Sequence, residues 1–282
     1  MKQIGYLLLF NFLLCGICKA DNYPLQKGSG AIKLDYQFTK FSNVFDNDGE
    51  LKPIPEIRFS SFNINGKFGV TDKVTAHLAL PAYIKASNSE NKDFTAQSVS
   101  GIGDISLGMS YAFDKQNKIQ PVISVFQNLA TGKNNESGLN TGYGDFANSI
   151  YFDLFYEYNP HLLLNGNIGY QSHKKYFRND FLGNIYINYS EKGKYQFSLF
   201  MRGKLPFGQE VSNNENITNY GLYKNAEGYF RYGALAEVAI RKQMSVNLSF
   251  ENYIKGQFIG SSPIYTIGLH FLFDKSNNSD EK

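Results

Sequence analysis

Charged and imidazole side chains recur at two-residue spacings along this chain. Lys33 and Asp35 are one residue apart, as are Arg202 and Lys204. Lys67, His77, Asp104, Arg231, Glu237, Glu251 and His270 each have an apolar neighbour in sequence. Such groups could catalyse, hold a metal or line a path for a polar solute. Catalysis needs a nucleophile, a base and an orienting group within hydrogen-bond reach. Of the four histidines, His161 falls in a turn and His173 begins a loop. His77 and His270 have no Ser two or four residues away on their own strand. The chain is therefore read as a non-enzyme. Asp46-Asn47-Asp48-Gly49-Glu50 opens like a calcium loop but lacks the later ligands, so it reads as a solvated turn, and neither metal nor cofactor is expected.

The elements that position these groups follow from period-two patterning. In Gly103 to Phe113, Ile105, Leu107, Met109, Tyr111 and Phe113 alternate without a break with Asp104, Ser106, Gly108, Ser110 and Ala112. Successive side chains of a strand point to opposite faces, so one face is apolar and the other small and polar. The same alternation recurs along the chain, for example Ile32, Leu34, Tyr36 and Phe38 against Lys33, Asp35 and Gln37, and Tyr265, Ile267, Leu269 and Phe271 against Thr266, Gly268 and His270. Phe59 falls out of phase in the second strand, which suggests a bulge there, while Ile84 groups with Val74, Ala76, Leu78 and Leu80 on the apolar face of the third.

About twelve strands of roughly ten residues result, the length a tilted strand needs to cross a bilayer. Tight connections near Asp72, Gln116, Pro160, Lys192 and Lys242 alternate with longer ones near Asp48, Glu90, Gly138, Lys175, Asn216 and Ser261. The expected architecture is an all-β antiparallel transmembrane barrel with short periplasmic turns and long extracellular loops, in the bacterial outer membrane. Its apolar face meets lipid and its polar face lines a lumen. By parity that lumen receives Lys33, Asp35, Lys67, His77, Asp104, Asp153, Glu157, Arg202, Lys204, Arg231, Glu237, Glu251 and His270. Their signs nearly balance, which points to weak ion selectivity or a neutral solute. Antiparallel pairing sets Lys67 opposite His77 and makes Arg231 and Glu251 a diagonal pair, with Arg202 and Lys204 at the same level. These four form either a polar constriction or a network that stiffens a narrow barrel.

Residues 1–20 read as an export signal: Lys2, an apolar run from Ile4 to about Ile17, then Cys18-Lys19-Ala20. Residues 21–29 form a short periplasmic segment, 30–273 the barrel and 274–282 a polar tail. Both cysteines, Cys15 and Cys18, lie in the signal, so the processed chain has no thiol chemistry. Without Lys2 and Lys19 the 28 basic residues nearly match the 25 acidic ones, which leaves no electrostatic footprint for nucleic acid. With 24 Phe, 20 Tyr and no Trp, the aromatic girdles must be built from Tyr and Phe. The expected partners are outer-membrane lipid and a small-molecule solute, and the expected state is a monomer.

Gly101-Ile102-Gly103-Asp104 with Leu107-Gly108 and Tyr111, then Thr131-Gly132 and Asn140-Thr141-Gly142-Tyr143-Gly144-Asp145, resembles an outer-membrane family labelled as a component of a phenol-degradation meta pathway. That family is similar to transporters of hydrophobic compounds such as long-chain fatty acids. The resemblance implies a barrel that takes up small molecules, hydrophobic or aromatic ones among them. Ala130 stands where the family has Pro, and Asp21 to Ser29 is too short for the amino-terminal plug of fatty-acid transporters. The reading from another class is a structural or adhesive barrel that acts through its external loops, with a packed lumen.

Overall fold

The computed structural model describes residues 25–90, 95–133, 139–174, 178–191, 194–208 and 227–273. The expected signal segment 1–20 and tail 274–282 lie outside the described residues.

Among the described residues there are fourteen strands: β1 (Gly30–Phe45), β2 (Leu51–Gly69), β3 (Val74–Asn88), β4 (Gln97–Gly101), β5 (Ile105–Ala112), β6 (Ile119–Leu129), β7 (Ala147–Asn159), β8 (Leu162–His173), β9 (Asn179–Glu191), β10 (Tyr195–Phe207), β11 (Gly228–Arg241), β12 (Met244–Gln257), β13 (Ile259–Gly260) and β14 (Ile264–Phe273). Both β4 and β5 pair with β3, and both β13 and β14 pair with β1, so each of these pairs makes one interrupted stave. The result is a closed antiparallel barrel of twelve staves, because β1 pairs with β2 on one side and β14 on the other. Closure leaves no edge in hydrocarbon, where an unpaired backbone group would be costly.

The outer face is apolar and open to its surroundings: Ile168 is 70% exposed, Ile185 64% and Met109 51%. In water such a continuous belt would be untenable, whereas lipid covers it. Tyr111, Tyr156, Tyr158, Tyr189 and Tyr195 lie on this face towards the short turns, with Tyr189 and Tyr195 ring to ring at 6.5 Å. They supply a girdle without tryptophan. The molecule is an outer-membrane-type β-barrel.

Several boundaries and orientations differ from the sequence reading. β2 begins at Leu51 and contains Pro53 and Pro55. Its first residues pair only with β1, since pairing with β3 starts at Ile57, so the missing proline donors break no ladder on the β3 side. The longer connection expected near Glu90 is flanked by a hairpin, in which Lys85 pairs with Ser100. Phe59 carries no bulge. The register shift on β2 and β3 lies between Phe62 and Asn63, and it turns Ile84 inward. Phe59 and Ile84 join Phe41, Ile57, Ala86 and Leu139 in an apolar cluster inside the barrel at its long-loop end. Leu139 comes from the β6–β7 connection, so that loop folds into the lumen and gives these inward hydrophobic residues something to pack on.

Candidate functional site: a two-chambered lumen

The inward loop is held by one carboxylate. Asp104, in the break between β4 and β5, accepts the backbone N–H of Gly132 at 2.8 Å, Tyr143 at 2.6 Å and Gly144 at 3.2 Å. A Cβ at Gly142 would lie 2.6 Å from the carboxylate, which explains glycine at this close approach. Thr141 donates its hydroxyl to Ile102 O at 3.0 Å, and Thr131 to Gly103 O at 2.6 Å. The two Gly-rich motifs are thus two sides of one junction.

Above the lumen's waist, Tyr143 reaches from this loop into a buried ionic cluster. Its hydroxyl donates to Glu227 at 2.8 Å and accepts from Lys204 Nζ at 3.0 Å. Lys204 Nζ also lies 3.3 Å from Asp180 and 3.9 Å from Glu227, and His173 Nε2 lies 3.3 Å from Asp180. At the waist, β10 and β11 pair Arg202 with Arg231, and β11 and β12 pair Gly233 with Glu251. Glu251 therefore sits between the two guanidinium groups, 3.1 Å from Arg202 Nη1 and 3.1 Å from Arg231 Nε. Arg202 stacks over Phe200 at 4.6 Å and Arg231 over Tyr229 at 4.5 Å, which fixes both forks.

Below the waist the charged groups are spread around the wall. Glu237 accepts from Ser245 at 2.5 Å, lies 2.9 Å from His270 Nδ1 and 3.8 Å from Lys33. Asn65 and Asn247 donate to Asp35 at 3.4 Å each, and Ser124 to Asp153 at 3.2 Å. Lys67 pairs across the ladder with His77. Towards the short-turn end Glu157 binds Lys115 at 2.5 Å.

Arg202, Arg231 and Glu251 come together at the waist, with Lys204 one step above them, whereas Lys33, Glu237 and His270 form a separate lower group, with Asp35 beside it. His77 Nε2 lies 2.7 Å from Ser110 Oγ, a cross-strand Ser–His contact that same-strand spacing does not reveal. Ser110 is 2% exposed, so no solute reaches its hydroxyl as a nucleophile requires. In the turn at 46–50, Asp46 spends one carboxylate oxygen on the N–H groups of Asp48 and Glu50 and the other on Lys52 at 2.7 Å. Among the described residues no group of three or more acids, His or Cys could hold a metal ion.

Sequence reading missed Tyr143, Asp145, His173, Asp180 and Glu227. The signal for His173 and Asp180 was available, because continuing the inward parity of β8 and β9 to their loop ends reaches both. Tyr143 and Asp145 lie in the Gly-rich motif at 140–145, which marks the segment but not where its side chains go, and nothing local marks Glu227.

The described residues of the wall border a lower and an upper space. The lower, about 690 Å³, is bordered by Lys33, Lys67, Phe155, Tyr186, Arg202 and Leu235 among others. The upper, about 300 Å³, is bordered by Phe41, Phe59, Tyr143, Glu227, Tyr229, Arg231 and Tyr253. Arg202 borders one and Arg231 the other, so the Arg202–Glu251–Arg231 clasp divides them.

No family model matches the chain, and no curated protein matches it. Among solved structures, the chain is similar to the COG4313 outer membrane channel from Pseudomonas putida F1. The TM-score is 0.72 at 10% identity, over 90% of this chain and 99% of that one. The β domain of the Bordetella autotransporter BrkA gives a TM-score of 0.51 at 13% identity, over 88% and 100%. The porin NanC gives 0.50 at 9% identity, over 84% and 98%. At these identities the likeness establishes the outer-membrane barrel fold, which serves more than one activity.

Proposed function

We propose that the protein is an outer-membrane channel through which small molecules, hydrophobic or aromatic ones among them, enter the periplasm. The observation that carries this reading is the pair of chambers in line within a closed barrel, divided by a charged clasp and not by packed hydrocarbon. Tyr143, Tyr229, Tyr253, Phe41 and Phe59 give the upper chamber aromatic faces with hydroxyl groups at hand, a lining suited to a ring-bearing solute. The pore-lining set is Lys33, Asp35, Lys67, His77, Asp104, Arg202, Lys204, Arg231, Glu237, Glu251 and His270. Arg202, Lys204, Arg231 and Glu251 form the constriction. The chain acts as a monomer, exported by its first 20 residues.

Liposome swelling and single-channel conductance test the reading. Permeation by small solutes is the expected result, with conductance altered when Arg202, Lys204 and Arg231 are changed together to Ala. A normally folded barrel that passes no small solute would overturn it.

One observation favours the structural or adhesive reading. Leu139 and Thr141 are wholly buried and Asn140 is 1% exposed, so the long-loop end is partly filled by the chain itself. The same permeation measurement separates the two.

A further inference from the structure

Counting charges by strand parity gives a nearly neutral lumen, but the side chains are not equally presented to the lower chamber. The carboxylates lie in the wall. Asp35 is covered by Asn65 and Asn247, Asp153 is bonded by Ser124, and Glu237 is enclosed by Ser245, His270 and Lys33. Lys33 and Arg202 stand forward of their partner carboxylates. The Lys33 side chain is 29% exposed against 12% for its partner Glu237, and that of Arg202 is 30% against 10% for Glu251. Lys33, Lys67 and Arg202 border the chamber, with Lys115 and Lys118 towards its short-turn mouth. Among the described residues the one carboxylate bordering it is Glu157, bound to Lys115.

Coulomb energy falls with distance and is screened least where water is excluded. A small anion can touch the forward ammonium and guanidinium groups, while the wall carboxylates stay one layer behind. The chamber also offers apolar surface: Phe155, Leu163, Phe200 and Leu235 all point inward and border it.

We propose that this lower chamber binds small organic carboxylates with an apolar body. The carboxylate faces Lys33, Lys67 and Arg202, and the body rests on Phe155, Leu163 and Leu235. Arg202 is already oriented for such a ligand, since its Nε donates to Tyr186 at 3.1 Å and its guanidinium lies over Phe200. The site deepens the channel reading by assigning it a class of solute, and its binding step can be measured apart from permeation.

The test is calorimetric titration of the full barrel, folded in a neutral detergent at low salt, with benzoate and with its uncharged counterpart benzyl alcohol. Benzoate is expected to bind at least ten-fold more tightly. Lys67→Gln and Lys33→Gln, each checked for retained heat-modifiable mobility on gels, are each expected to weaken benzoate several-fold and leave benzyl alcohol unchanged. Leu235→Ala should weaken both. Equal binding of the two compounds, no benzoate binding at millimolar concentration, or benzoate affinity unmoved by both lysine variants would overturn the proposal. Displacement of benzoate by equimolar inorganic phosphate would also overturn it, because the apolar body would then contribute nothing. Benzoate binding without permeation would remove the channel reading and leave this site standing. Permeation with equal affinity for both compounds would do the reverse.

Discussion

The Asp104 carboxylate holds the backbone N–H of Tyr143 at 2.6 Å across 39 residues of sequence. Through that bond a residue at the head of a barrel strand fixes the loop that carries Tyr143 to Glu227 and Lys204. Asp104→Ala leaves three backbone donors without their acceptor, at about 1–3 kcal/mol for each one left buried and unsatisfied. The expected outcome is a barrel that still folds but whose loop at 139–145 is released. Amide exchange of Tyr143 and Gly144 should accelerate at least ten-fold, and single-channel conductance should rise.

Leu139 anchors the same loop by packing. It is wholly buried against Phe41, Ile57, Phe59, Ile84 and Ala86, so Leu139→Ala should cost the docked loop about 2–5 kcal/mol. Because the barrel's own ladder is untouched, the loss should appear as faster exchange and protease cutting within the loop, with the thermal unfolding of the barrel nearly unchanged.

Glu251 lies between Arg202 and Arg231. Glu251→Gln leaves two guanidinium groups facing each other without the intervening charge, a break that costs on the order of 3–5 kcal/mol for a buried pair. Lower thermal stability is expected, together with a shift of reversal potential towards anions in a salt gradient. An unchanged reversal potential would show that the clasp does not border the conducting path.

The outer face makes a separate demand. Leu199, on β10 between its two ends, is 48% exposed to the surroundings that lipid fills. Leu199→Arg should lower equilibrium stability in lipid vesicles by about 2–4 kcal/mol, the cost of a cation near the bilayer midplane. The same change at an exposed turn residue such as Gln243 should have little effect.

Acid should loosen the β1–β2 turn. Lys52, together with the N–H groups of Glu50 and Asp48, holds the Asp46 carboxyl below its usual range. A carboxyl depressed in the folded state stabilises above its unfolded value of about 3.9, and that contribution is lost as pH falls through the lower folded value. The protection of the Asp48 and Glu50 amides, taken relative to the intrinsic exchange rate at each pH, should therefore be high at neutral pH and fall below about pH 4. Asp46→Asn should abolish the dependence.

Alternation alone made the barrel legible. Ile105, Leu107, Met109 and Tyr111 have to share one face whatever the rest of the chain does, and the register of Lys67 with His77 follows from the three-residue turn Thr71-Asp72-Lys73. Parity also places Arg202, Arg231 and Glu251 near one another, as the structure does. It failed at Ile84, whose face the register shift between Phe62 and Asn63 inverts, whereas Phe59 faces inward in phase with Ser61 and Asn63 and needs no bulge. These two face inward because a loop distant in sequence brings Leu139 to meet them.

What the sequence determined by itself is the period of two, and with it the strands, the two faces and the inward set of charges, since strand geometry is local. The tertiary structure decided which loop enters the lumen, which charges stand forward and which lie behind amides, and where the space divides. Those outcomes depend on distances between groups far apart in the chain. A buried carboxylate and an exposed lysine count equally in composition, but they act unequally on a solute.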